Sequence, residues 1–202
     1  MITEDFKTLP TKEKIIRIGA EIIVKEGLKK FTAKNIADRL GITDAAIFKH
    51  FKSMDDIILE IINRYVSKCS KSAEEAIKKG KDAKEILEIL LREHIKVLEE
   101  TKGAVPILCF ELSRSDDKQF TTILKQFVES YKEKISKIIK EGQEKGCVRP
   151  DLDPEDTSLF FIGSIQAKVF AYTILEKEGP IIENPDAFIE QIFYGIIIDN
   201  KK

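Results

Sequence analysis

The chain has 202 residues, 43% of them apolar, enough for a sizeable core in one large domain or in a small domain joined to a larger one. A formal net charge of -1 excludes a chain-wide attraction to nucleic acid, so any such affinity must sit in a local patch. Three cysteines, Cys69, Cys109 and Cys147, are odd in number and widely spaced, which argues against a disulfide framework or a zinc knuckle and for a reducing, cytoplasmic setting.

The start MITEDF carries acids where a secretory leader would carry lysines. The longest apolar stretch, 159–175, is interrupted by Gln166 and Lys168 and is short for a membrane span, so no membrane partner is expected. Apolar residues recur at three and four along nearly every segment and no stretch alternates, which predicts an all-α protein. Thr11 is placed to cap a first helix whose stripe is Ile15, Ile16, Gly19, Ile22 and Ile23, with Gly27 as its stop. Thr32 caps a short second helix with Ile36, Ala37 and Leu40 inward, and Gly41 ends it. Phe31 with Ile36, and then Ile42 with Ile47 around the cap Thr43, form two successive hydrophobic staples. The third helix is expected to reach about Lys52, where Ser53 caps the next.

That next helix, 54–72, has the stripe Ile57, Ile58, Ile61, Ile62, Tyr65 and Val66 and is expected to connect two domains. Further helices are predicted near 82–100, 105–114, 117–145, 154–176 and 185–199, with Asp153-Pro154 and Asn184-Pro185 each reading as a cap followed by proline at the first helical position. No repeat or low-complexity segment is present.

Two short helices joined by a turn at Gly41 make a helix-turn-helix, whose second helix enters the DNA major groove. Ile47 and Phe51 turn inward, leaving Asp44, Ala45, Ala46, Lys49 and His50 to project. The two alanines are small enough for close approach to base edges. From Lys25 to Lys52 there are seven basic residues (Lys25, Lys29, Lys30, Lys34, Arg39, Lys49, Lys52) against three acids, a local patch that the overall charge conceals. Thr32 and Thr43 add hydroxyls at helix starts, a second kind of phosphate contact. His50 could also be a surface residue without a role; as a catalyst it would lack an accompanying nucleophile or carboxylate pair.

The segment TKEKIIRIGAEIIVKEGLKKFTAKNIADRLGITDAAIFKHFKSMDDIILEII, residues 11–62, resembles the N-terminal domain of the TetR family of transcriptional regulators, and GITDAAIFKHFKSMDDI matches its signature closely. EGQEKGCVRPDLDPEDTSLFFIGSIQAK is similar to a looser C-terminal region of the family. The resemblance implies that Thr43 and His50 bind phosphates, that Lys49 and Lys52 support that contact, and that Asp44, Ala45 and Ala46 face bases. Phe48 stands where the family usually has tyrosine, losing a hydroxyl, and Met54 where lysine is common. The implied architecture is an N-terminal three-helix helix-turn-helix DNA-binding domain over 1–53, followed by a larger helical-bundle domain over 54–202 for effector binding and dimerisation.

In that larger domain the resemblance implies a small-molecule pocket, for which His94, Phe110, Phe127, Tyr131, Phe161 and Gln166 are candidates. The plainer reading of His94 is a core histidine, since it shares a face with Leu87, Leu90, Leu91 and Leu98, and aromatic residues at helical spacing are core first. Cys69 and Cys109 read as small core hydrophobes, and Cys147, beside Gly146, as the one thiol to test for reactivity. The helix after Pro154 is apolar nearly all round, so a second chain is expected to cover one side. Phe160, Ile165, Val169 and Phe170, with Ile189, Phe193, Ile196 and Ile197 of the last helix, are the expected dimer interface. A buried central helix in a monomer is the alternative.

No metal site is expected: the two histidines lie in different predicted domains, no Glu-x-x-His pair exists, and the cysteines are not spaced as ligands. The function expected is a homodimeric repressor that binds a palindromic double-stranded DNA operator and is released by a small apolar effector, without a cofactor. The rival is a helical carrier of hydrophobic ligands, or an enzyme, with an incidental helix-turn-helix. Against an enzyme, the chain has no Gly-x-Ser-x-Gly elbow, Gly-rich phosphate loop or His-Glu-x-x-His site.

Overall fold

The computed structural model describes residues 4–114, 116 and 118–196. The regular elements among the described residues are helices: α1 (Glu4–Thr8), α2 (Thr11–Glu26), α3 (Ala33–Leu40), α4 (Asp44–Phe48), α5 (Met54–Lys78), α6 (Ala83–Thr101), α7 (Ala104–Leu112), α8 (Lys118–Glu144), α9 (Pro154–Ile174) and α10 (Pro185–Ile196), with a 3-10 turn at Leu28–Lys30. Buried side chains from Ile15 to Phe193 form one continuous core.

The head is built from α2, α3 and α4. Pro10, rather than Thr11, holds the cap position of α2, and Thr11 is its first helical residue. The expected stripe is buried, with Ile15, Ile22 and Ile23 fully enclosed. Gly19 belongs to that stripe because a side chain there has no room: a Cβ would lie 2.9 Å from the Phe31 ring and 3.7 Å from Ile36. The Thr32 hydroxyl accepts from the Asn35 amide at 3.2 Å, and the Thr43 hydroxyl from the Ala46 amide at 3.3 Å, so both caps form as the sequence predicts. Gly41 closes α3 at φ 64°, ψ 34°, a left-handed turn suited to glycine.

The third helix is shorter than expected, ending at Phe48 rather than near Lys52. The Asp56 carboxylate accepts from the Lys52 amide at 2.9 Å and the Ser53 amide at 3.2 Å, while the Ser53 hydroxyl accepts from the Asp56 amide. This capping box draws the chain out of helix as Phe51 turns into the core.

The connector also differs from its expected 54–72 span. It runs to Lys78, because Ala73 and Ala76 continue the buried face with side chains too small to register as a hydrophobic stripe. α5 packs most extensively on α6, and α8 on α9. Arg64 of α5 forms ion pairs with Glu13 of α2 and, at 3.0 Å, with Glu60, tying head to bundle. α9 starts as predicted, Asp153 accepting from the Asp156 amide at 2.8 Å with Pro154 following. Among the described residues no helix is long and apolar enough to cross a membrane.

Candidate nucleic-acid interface and cavity

α4 stands at the surface of the head with its outward face uncovered. Thr43, Asp44, Ala45, Phe48, Lys49 and His50 are exposed and Ala46 is half-buried, while Ile47 is fully enclosed. Thr32, Lys34 and Lys52 are exposed beside it. Two cations of the sequence patch are engaged elsewhere: Lys25 bonds Glu21 at 2.8 Å, which raises its pKa, and Arg39 pairs with Glu26. Lys29, Lys30, Lys34, Lys49 and Lys52 form no ion pair among the described residues, so their charge is available to a polyanion.

A second site lies inside the bundle. A cavity of about 130 Å³ is bounded by Tyr65 of α5, His94 of α6, Val105, Pro106 and Cys109 of α7, Phe127, Val128 and Tyr131 of α8, and Leu159, Ile162, Ile165 and Gln166 of α9. His94 is its centre: it stacks on Tyr65 with ring centroids 5.4 Å apart at 11°, and its Nε2 is hydrogen-bonded to the Tyr131 hydroxyl. Phe127 meets Tyr65 edge-on at 6.3 Å.

Burial decides the charge state of these walls. Desolvation lowers the His94 pKa to about 3, raises the Cys109 thiol to about 11, and pushes both tyrosine hydroxyls well above their ordinary range. At neutral pH each of these four groups is therefore uncharged. No cluster of three or more potential metal ligands occurs among the described residues.

Of the ligand candidates read from sequence, His94, Phe127, Tyr131 and Gln166 come together at the cavity. Phe110 and Phe161 do not. Phe110 is 68% exposed, in a cleft beside Glu26, Gly27 and Leu28, because its neighbour Cys109 takes the inward direction on α7. Phe161 is fully buried one layer behind the cavity, its ring 6.3 Å from that of His94.

Tyr65, Val105, Pro106, Cys109, Val128, Leu159, Ile162 and Ile165 also line the cavity and are not among the ligand candidates read from sequence. Tyr65 did carry a signal, as a hydroxyl-bearing ring in a stripe otherwise made of isoleucine and valine.

The expected interface residues also divide. Phe160 and Phe170 are 57% and 68% exposed and face outward. Ile165, Val169, Ile189 and Phe193 are instead buried within the chain's own core and leave no surface for a partner: Ile165 walls the cavity, and Val169 fills the space where a Cβ on Gly103 would stand. Ile197 and the side chain of Ile196 lie outside the described residues. Leu159, Ile174, Leu175 and Tyr194 are exposed apolar or aromatic side chains that the interface assignment omitted.

A helix-turn-helix head with an uncovered second helix, joined to a bundle with a cavity among its helices, defines a DNA-binding regulator. Residues 15–61 match the family model described as bacterial regulatory proteins, tetR family, and 58–195 match that of the YsiA-like protein C-terminal region. The chain belongs to the TetR family of transcriptional regulators. It is 22% identical over 187 residues to the fatty acid metabolism regulator protein of Bacillus subtilis, covering 93% of this chain and 96% of that protein. It is 24% identical over 144 residues to the transcriptional repressor KstR2 of Rhodococcus jostii, covering 71% of each. In fold it is similar to the ketosteroid transcriptional regulator KstR2 of Mycobacterium tuberculosis, with a TM-score of 0.78 at 18% identity, covering 94% of this chain and 96% of that one. Family models of regulators span both head and bundle, which disfavours the carrier or enzyme alternative.

Proposed function

We propose that the protein is a homodimeric repressor that reads a palindromic operator through α4 and leaves it when a small, largely apolar effector fills the cavity among α5 to α9. One observation carries this reading: α5 belongs to both sites. Its first turns bury Ile57 and Ile58 in the head, and two turns further on Tyr65 forms a wall of the cavity. An effector that fits only when α5 is displaced weakens DNA binding by the factor by which DNA weakens effector binding.

In this reading residues 1–53 are the DNA-binding domain and 54–202 the effector and dimerisation domain, and the protein works in the cytoplasm. Thr43 and His50 contact phosphates, with Thr32, Lys34, Lys49 and Lys52 adding backbone contacts. Asp44, Ala45 and Ala46 meet base edges, and the exposed Phe48 ring offers an apolar contact where a hydroxyl would otherwise reach phosphate. Two copies would set their α4 helices about 34 to 36 Å apart or somewhat more, in successive major grooves. For the effector we carry over only what the relatives' names share, fatty acid in one and ketosteroid in another: a mostly hydrocarbon skeleton bearing oxygen.

The test starts from an operator selected out of random-sequence DNA and measures affinity against salt for the unaltered protein and for Lys49→Ala with His50→Ala. Each lost phosphate contact should lower affinity and flatten the logarithmic salt slope by about 0.9. An unchanged affinity and slope would remove α4 from the interface.

A further inference from the structure

The cavity holds more hydrogen-bonding capacity than its own walls use. Tyr65 is only 8% exposed, lines the cavity, and its hydroxyl makes no hydrogen bond among the described residues. Beside it His94 is 1% exposed and receives one partner, the Tyr131 hydroxyl on Nε2. The Nδ1 atom is 3.4 Å from that same hydroxyl, which cannot direct one proton to both nitrogens, so Nδ1 keeps its capacity unspent. Among the described residues the one buried side-chain polar atom without a partner is the Thr173 hydroxyl, away from the cavity; the Tyr65 hydroxyl is unpaired because it opens onto the cavity space, and with the His94 nitrogen beside it offers a ligand group a place to bond.

Charge narrows the ligand. No lysine, arginine, aspartate or glutamate is among the lining residues, so an ionised group brought inside would be desolvated without a counter-charge. We propose that the cavity selects an uncharged molecule whose neutral carbonyl or hydroxyl oxygen is received by the Tyr65 hydroxyl and the free His94 nitrogen, and that it discriminates against a free carboxylate. Tyr65 donates to the ligand oxygen. If the Tyr131 hydroxyl donates to Nε2, Nδ1 carries the proton and donates as well; in the other tautomer it accepts from a ligand hydroxyl.

Size sets the buried part. A cavity of about 130 Å³ compares with the roughly 150 Å³ that encloses benzene, so six to eight heavy atoms fit, with any longer tail leaving between the half-exposed Val128 and Leu159. The proposal rests on the reading of this cavity as the effector site.

Four probes test it on the full chain by ligand-observed NMR titration at pH 7.5: hexan-2-one, hexan-1-ol, sodium hexanoate and benzene. The ketone and alcohol should bind roughly tenfold more tightly than hexanoate. Tyr65→Phe should weaken the ketone by about three- to tenfold, the worth of one hydrogen bond, and leave benzene unchanged. Hexanoate binding as tightly as the ketone, or a ketone affinity indifferent to Tyr65→Phe while benzene still binds, would overturn the proposal and leave the cavity a ligand site. If none of the four binds, the effector-site reading itself falls and takes this proposal with it.

Discussion

His94 shows what burial does to a titratable side chain. On sequence grounds it sits among leucines like any core histidine, and the structure makes it that and also the centre of a cavity wall. Its spacing along α6 displayed the first role; the second depends on Tyr65 and Tyr131 arriving from two other helices, which no local pattern encodes. The cost of keeping it neutral is measurable. Its pKa is depressed from the ordinary 6.5 to about 3 in the folded chain, so above pH 6.5 neither state binds a proton and His94 leaves stability unchanged. As pH falls below 6.5 only the unfolded chain takes up the proton, and stability falls by about 1.4 kcal/mol per pH unit until the folded form titrates near pH 3. Urea unfolding at pH 7 and pH 5 should therefore show a loss about 2 kcal/mol larger for the unaltered protein than for His94→Gln. Equal losses would mean that His94 is not held neutral.

At the scale of the helix, local signals were read well and their competition was not. The caps Thr32, Thr43 and Ser53 and the turn at Gly41 are written in short range, and each forms as the sequence predicts. The end of α4 was misplaced because Asp56 takes the Lys52 and Ser53 amides for the next helix, a contest between two neighbouring elements. α7 defeated periodicity for another reason: apart from Glu111 its residues are apolar, so its apolar positions form no stripe and the spacing of Cys109 and Phe110 does not tell which turns inward.

The capping box also fixes the chain just after His50, at Lys52 and Ser53, so if these residues contact the operator as proposed it should bear on DNA binding. Asp56→Ala should lower stability by about 1 kcal/mol. The same change should weaken operator binding beyond what the loss of folded protein explains, while benzene binding in the cavity stays as it was. Loss of both activities in parallel would mean that the box serves folding alone.

For the whole molecule, the apolar character of α9 divides into two faces. Phe161, Ile165 and Val169 supply the chain's own core, and Phe160, Phe170, Ile174 and Leu175 remain outside. The sequence showed that the helix needed cover on two sides, but the division required knowing how α8 lies against it. Between the outward phenylalanines, a Cβ on Gly163 would meet nothing within 4 Å, leaving room for a neighbouring helix to approach. Exposed rings of this kind are costly for a lone subunit and useful to a symmetric pair, in which the same patch meets itself. Phe160→Glu with Phe170→Glu places two charges on each side of such a seam and disturbs nothing enclosed within the subunit. Sedimentation should then show a monomer that keeps its thermal stability and its cavity, whereas Ile165→Val should leave the dimer intact because that side chain faces inward. With the two heads unlinked, the second half-site is no longer met at the millimolar effective concentration a tether provides, and operator affinity should fall by about 10²- to 10⁴-fold. A charged variant that remains dimeric would move the interface away from this face of α9, and a monomer that grips the palindrome as tightly as before would sever operator reading from dimerisation.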